Sequence, residues 1–225
     1  MSDRATIAIA LCGELRTLPV VLGSLQLNVV QPLQPADVFL HVSLLWTIAE
    51  WANLSRLAKP PSTLRQEELD AIQRELRPVW LRVASLGGAA HGVLTRWKET
   101  FVAVEERERS RRFAYGHIVR VRPDLVYHCS LSRDWLGTLE VPVLSWDIFA
   151  AIPRALAEAV FTRAADTFEC RTRIELCVPA AIIKHANTSY YDVPADYGTY
   201  RIASIYRASD CARPRPWPSR AAACG

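Results

Sequence analysis

The chain has 225 residues, half of them hydrophobic, with 27 Lys and Arg against 23 Asp and Glu. That length and apolar content suit one folded domain with a substantial core and exclude a disordered chain. The net charge of +4 fits an anionic small ligand and is too weak to indicate nucleic acid by itself.

Thr6–Leu11 is almost wholly apolar, the pattern of a strand buried on both faces in a parallel sheet. Cys12-Gly13-Glu14-Leu15-Arg16 follows as a turn. A helix is expected from Leu18 to about Val30, with Leu18, Val21, Leu22, Leu25 and Val29 on one face and Pro19 in the first turn. Strand, glycine turn and helix N-terminus make an anion-binding geometry to which Arg16 adds charge, and a plain β–α connection reads the same way. Pro32 and Pro35 end the helix. Asp37–Val42 is a second buried strand. His41 lies near its carboxyl end, where doubly wound sheets gather ligands, so it is a candidate site residue; a lone histidine is more often structural.

Ser62–Glu67 offers a capped helix start, continued by Leu64, Leu69, Ile72 and Leu76. Val79–Leu86 is a third strand. Gly92–Arg112 is the clearest helix, with Leu94, Trp97, Phe101 and Val104 on one face and Glu105–Arg109 and Glu108–Arg112 as i,i+4 pairs. Its alternating charges, without interleaved aromatics, read as a solvated helix end and not a nucleic-acid patch.

Tyr115–Tyr127 carries the most information. Ile118, Val119 and Val121 give strand character, and Arg120, Arg122 and Asp124 fall at every second position, on one face if the strand persists. Pro123 ends the pairing near there. Two guanidiniums and a carboxylate on one face form either a structural ion cluster at a sheet end or a site for an anionic ligand. Leu139–Leu144 reads as a further strand, interrupted by Pro142. A helix is expected from about Pro153, with Leu156, Ala159, Val160 and Ala164 as its buried stripe. Asp147 then has a simple reading as a helix cap. Thr172–Ala186 has helical spacing with a break at Pro179, and Glu175 in its first turn suits the helix dipole. Ser189–Val193 is a late strand.

Arg-x-Arg-Pro-Asp-Leu after a Tyr-x-x-Ile-Val strand resembles the central motif of a loosely defined group of glycosyltransferase-like proteins with the GT-A nucleotide-sugar fold. Ile7–Arg16, Asp37–His41 and Trp146–Arg154 resemble three further segments of that pattern, in order, over roughly residues 5–190. The resemblance implies an α/β three-layer domain with a mostly parallel sheet, and transfer of a sugar from a nucleotide-sugar donor to an acceptor. Gly13 and Arg16 would face the nucleotide, with His41 among the binding residues. Arg120, Arg122 and Asp124 would face the diphosphate, and Asp147 and Glu175 are the carboxylates offered for acceptor activation. A metal, manganese or magnesium, would fall to Asp124. The Asp-x-Asp position here reads Arg122-Pro123-Asp124, so guanidiniums are an alternative way to neutralise phosphate. A non-catalytic relative that keeps the fold and binds a nucleotide sugar, a glycan or a protein is the rival reading.

The six cysteines lack zinc-ligand spacing, and buried reduced thiols explain Cys12 and Cys177. No signal peptide or membrane segment is visible, so a cytoplasmic location is the default expectation. One domain over residues 1–208 is expected, with a poorly ordered tail over 209–225 that contains Pro214, Pro216 and Pro218.

Overall fold

The computed structural model describes residues 7–14, 18–43, 66–84, 90–127, 130–145, 149–163 and 191–192. The chain runs through β1 (Ile7–Glu14), α1 (Leu18–Leu25), a wider helical turn (Gln26–Val30), β2 (Ala36–Ser43), α2 (Gln66–Leu76) and β3 (Trp80–Ala84). It continues through α3 (Ala90–Arg111), β4 (His117–Val121), α4 (Arg133–Gly137), β5 (Val143–Ser145), β6 (Phe149–Pro153) and β7 (Tyr191–Asp192).

The strands form one sheet in the order β3-β2-β1-β4-β6-β5-β7. β1 pairs in parallel with β2 and β4, and β2 with β3. β6 runs antiparallel to both β4 and β5, and β7 is parallel to β5. Among the described residues the sheet is therefore mostly parallel with one reversed strand, an α/β arrangement as the alternating elements predict.

Helices cover both faces. On one, Ile9 and Leu11 of β1, Val38 and Leu40 of β2 and Val119 and Val121 of β4 pack with Leu18 and Leu25 of α1 and with Ile72 and Leu76 of α2. On the other, Ala8, Ala10, Phe39 and Ile118 pack with Leu94, Trp97, Phe101 and Val104 of α3 and with Val160 and Phe161. The alternation along each strand sends neighbouring residues to opposite layers. Each large side chain buried this way contributes about 1.5–3 kcal/mol.

The second face uses size complementarity. Ala8, Ala10 and Ala150 leave room for Trp97, Phe101 and Phe161, which pack together with Phe101 and Phe161 stacked at 5.6 Å. The C-terminal half of α3 is tied by ion pairs and hydrogen bonds to the starts of β2 and β4 and the end of β6. Asp37 Oδ2 accepts from the Tyr115 hydroxyl at 2.7 Å and from Arg107 Nε at 3.0 Å. Glu108 accepts from Arg154 Nε at 2.8 Å, Arg154 Nη2 at 2.7 Å and the Tyr115 N–H at 2.9 Å.

One sequence expectation changes, and one strand goes unassigned. The strand expected over Leu139–Leu144 begins at Val143, because Leu139 closes the turn after α4 by donating its N–H to Leu136. Phe149–Pro153 is a strand that the sequence reading does not assign; the helix expected from about Pro153 follows it, as a tight turn over Arg154–Leu156 that runs on through a wider turn over Ala159–Arg163 with Val160 buried. Phe149, Ala150, Ala151 and Ile152 are all buried, so no alternation advertises the strand. The expected helix over 172–186 and the tail lie outside the described residues. Among the described residues, no helix is long and apolar enough to cross a membrane.

Candidate functional site

After β1 the chain moves outward to β2 and β3, then returns to the other side of β1 to place β4. The direction of winding reverses between β1 and β4. Open α/β sheets offer a ligand crevice at the carboxyl ends of the strands flanking such a reversal. Here those ends carry Gly13 on β1, and Arg122, Pro123 and Asp124 just beyond β4.

Gly13 and Pro123 bring the two ends into contact. A β-carbon placed on Gly13 would stand 2.7 Å from Pro123 Cδ and 3.2 Å from its Cγ. The described glycines all have negative or extended φ, so Gly13 is needed for close approach and not for a left-handed turn.

Arg122 and Asp124 form a two-pronged pair across Pro123. Arg122 Nε donates to Asp124 Oδ1 and Arg122 Nη2 to Oδ2, each at 2.9 Å. Behind them Tyr127 fixes the turn. Its hydroxyl donates to the Arg122 carbonyl at 3.1 Å, its N–H donates to Ser24 Oγ at 3.1 Å, and its carbonyl accepts from the Asn28 side chain. The turn is thereby stitched to α1. Burial raises the Tyr127 hydroxyl well above its ordinary range, with Arg120 and Arg122 acting against that rise and Asp124 adding to it. Tyr127 stays protonated and keeps donating.

Arg120 is fully buried under α3. Its Nη2 donates to the Cys12 carbonyl at 3.2 Å, and its guanidinium lies 4.5 Å from the centre of the Trp97 ring. Its register partners are Ala10 and Ala150, whose small side chains leave the space that the guanidinium and indole fill. A cation over an indole face in a desolvated layer is held by about 2 kcal/mol. Arg120 thus puts a fixed positive charge beneath the carboxyl end of β1, while Arg122 is at the surface of the crevice with its side chain 22% exposed.

His41 pairs with Cys12 in the sheet and faces α3, its ring fully buried. Nδ1 faces the Arg96 carbonyl at 3.2 Å, and since a carbonyl only accepts, Nδ1 carries the proton. Nε2 lies 3.4 Å from Glu99 Oε2, and Arg82 contacts the other Glu99 oxygen at 3.3 Å. Burial lowers the ring to about 4, with the Arg96 carbonyl opposing and the Arg82 and Arg96 charges assisting. Thr100 donates to the Arg96 carbonyl at 2.7 Å and sits 3.2 Å from Cys12 Sγ, so the thiol donates to Thr100. Burial raises the Cys12 thiol, as a buried reduced cysteine requires.

The structure brings Gly13, Arg122 and Asp124 together at the reversal, puts Arg120 one layer behind them, and sets His41 under α3 as a tie between β2 and the helix. Arg16, Asp147 and Glu175 lie outside the described residues. Ser145 and Phe149, which flank the Asp147 segment, are paired, and Phe149 also pairs with Val121 at the end of β4. The residues that sequence reasoning missed are Pro123, as the partner of Gly13, and Trp97, as the seat of Arg120. The alanines at 10 and 150 were the available signal.

Asp124 gives both oxygens to Arg122, and among the described residues no group of three or more His, Cys, Asp or Glu side chains could hold a metal. The arrangement suits an anion with two oxygens in one plane, which a guanidinium fork recognises. Comparison of the chain with protein-family models and with curated proteins returns no match.

Proposed function

We propose that this chain transfers a sugar from a nucleotide-sugar donor to an acceptor hydroxyl, with the donor diphosphate in the crevice between β1 and β4. The observation that carries the reading is the meeting of Gly13 with the Arg122-Pro123-Asp124 turn at the point where the sheet reverses direction. The 3-2-1-4 strand order is also that of the doubly wound mononucleotide-binding sheets.

In this reading the acceptor oxygen attacks the sugar's anomeric carbon and the bond to the donor diphosphate breaks. The leaving diphosphate takes the electron pair and is stabilised by Arg122 at the surface and by the fixed field of Arg120 behind it. The acceptor proton passes to a carboxylate, for which the family resemblance offers Asp147 and Glu175.

The rival, a binding protein of the same fold, is favoured by one observation: Arg122 stands at the first position of the expected Asp-x-Asp and pairs with the second. A thermal-shift screen of UDP, GDP and CMP sugars, with and without manganese, followed by a transfer and hydrolysis assay, separates the two. The transferase reading expects stabilisation by one nucleotide class, loss of that shift in Arg122→Ala, and loss of turnover in Asp124→Ala. Binding without turnover selects the rival, and a folded protein that responds to no donor overturns both nucleotide readings.

A further inference from the structure

Arg122 uses a planar two-donor edge to hold Asp124, the same edge that a guanidinium offers to phosphate. The partner is two residues away, across a proline that rests on Gly13, so the pair is pinned at the crevice mouth. Its two members are unequally exposed: the Arg122 side chain is 22% exposed and that of Asp124 only 3%. An incoming anion therefore meets the guanidinium first, with its charge already cancelled by the carboxylate behind it.

We propose that Asp124 is an internal stand-in for the ligand, holding the Arg122 fork until a diphosphate displaces it. This rests on the nucleotide-sugar reading and adds a selection rule to it. A carboxylate held at two points yields to an anion with two oxygens and more than one negative charge. A halide offers no such edge and leaves the pair closed. Displacement also separates two roles: Arg122 turns to the diphosphate, and Asp124 is released as a carboxylate inside the crevice.

The test is calorimetric titration of the full chain with UDP and, separately, with inorganic pyrophosphate, in EDTA at fixed ionic strength. Wild type, Asp124→Asn and Arg122→Gln are compared after circular dichroism confirms folding. The expected result is that Asp124→Asn binds both anions at least fivefold more tightly than wild type, and Arg122→Gln at least tenfold more weakly. If Asp124→Asn fails to fold, Asp124→Ser carries the same expectation. Equal or weaker binding by the folded Asp124 variant overturns the stand-in role while leaving the nucleotide reading in place. So does wild-type binding that appears only in a parallel titration with manganese in place of EDTA and is lost in Asp124→Asn. Tighter pyrophosphate binding with no UDP binding in any variant supports the stand-in and sinks the nucleotide reading. Failure of both anions to bind wild type and the folded Asp124 variant overturns the two together.

Discussion

Pro123 lies so close over Gly13 that a methyl group added to the glycine would stand 2.7 Å from the proline Cδ. The proline ring cannot rotate away, because it is part of the backbone. Gly13→Ala therefore forces the ends of β1 and β4 apart. The expected cost is about 1–3 kcal/mol of stability, the range for overpacking a tight site. Urea denaturation at neutral pH measures it. The same variant should lose nucleotide-dependent thermal stabilisation, since the crevice is widened where the ligand would be gripped. An unchanged denaturation midpoint would mean that the contact is slack.

His41 links the stability of the α3 layer to pH. In the fold, burial lowers it from an ordinary value of 6.5 to about 4. Between those values the unfolded chain binds more protons than the folded one, so stability falls as pH drops from 6.5 toward 4 and is fully present above 6.5. Stability at pH 5 is expected to lie about 1–2 kcal/mol below that at pH 7. His117 is lowered by burial as well and acts in the same direction, so the comparison is with His41→Asn. That variant should remove most of the difference. An identical difference in both proteins would assign it elsewhere.

Glu108 offers a test at the other end of the strands. It accepts two Arg154 donors and the Tyr115 N–H, and Arg154 also lies 4.9 Å over the Phe101 ring. Glu108→Ala removes the anion and leaves a largely buried guanidinium with, among the described residues, the more distant Glu105. A loss of about 3 kcal/mol is expected from denaturation curves, in the range for breaking a partly buried pair on one side. Nucleotide affinity should not change, because the cluster sits at the start of β4 and the crevice at its end. A large affinity change would show that the two ends are coupled through α3.

Much of the sheet was legible in the sequence because its strands are either continuously apolar or lead directly into glycine and proline. β1, β2 and β4 fall where β-branched and apolar runs place them, and α3 follows its Leu94, Trp97, Phe101 and Val104 stripe. β6 was not legible. Its four buried residues, Phe149–Ile152, have no period, and the proline after them reads equally well as a helix start. In the site, the alternation of Arg120 and Arg122 promises a common face only if the strand persists, and β4 ends at Val121. The alternation does not give their different depths. Arg120 is buried because Ala10 and Ala150 flank it across the sheet, a relation between distant segments that spacing along one strand does not contain. The Arg122–Asp124 pair was likewise hidden: Pro123 predicts a break in pairing, and only the turn fixed by Tyr127 folds the two side chains onto each other.

The pairing of β1 with β4 has a consequence for how the protein forms. It joins Ile7 to His117 and Leu11 to Val121, so this central pairing has the widest sequence separation of any strand pair among the described residues. Bringing such segments together pays the loop-closure entropy before any hydrogen bond rewards it, and high contact order slows folding. β1 with β2, and β2 with β3, can assemble from nearer neighbours. The meeting of Gly13 with Pro123 must wait for β4 to dock. A refolding experiment followed by ligand binding should therefore show binding competence arriving with the slowest sheet-forming phase, after most helical signal has returned.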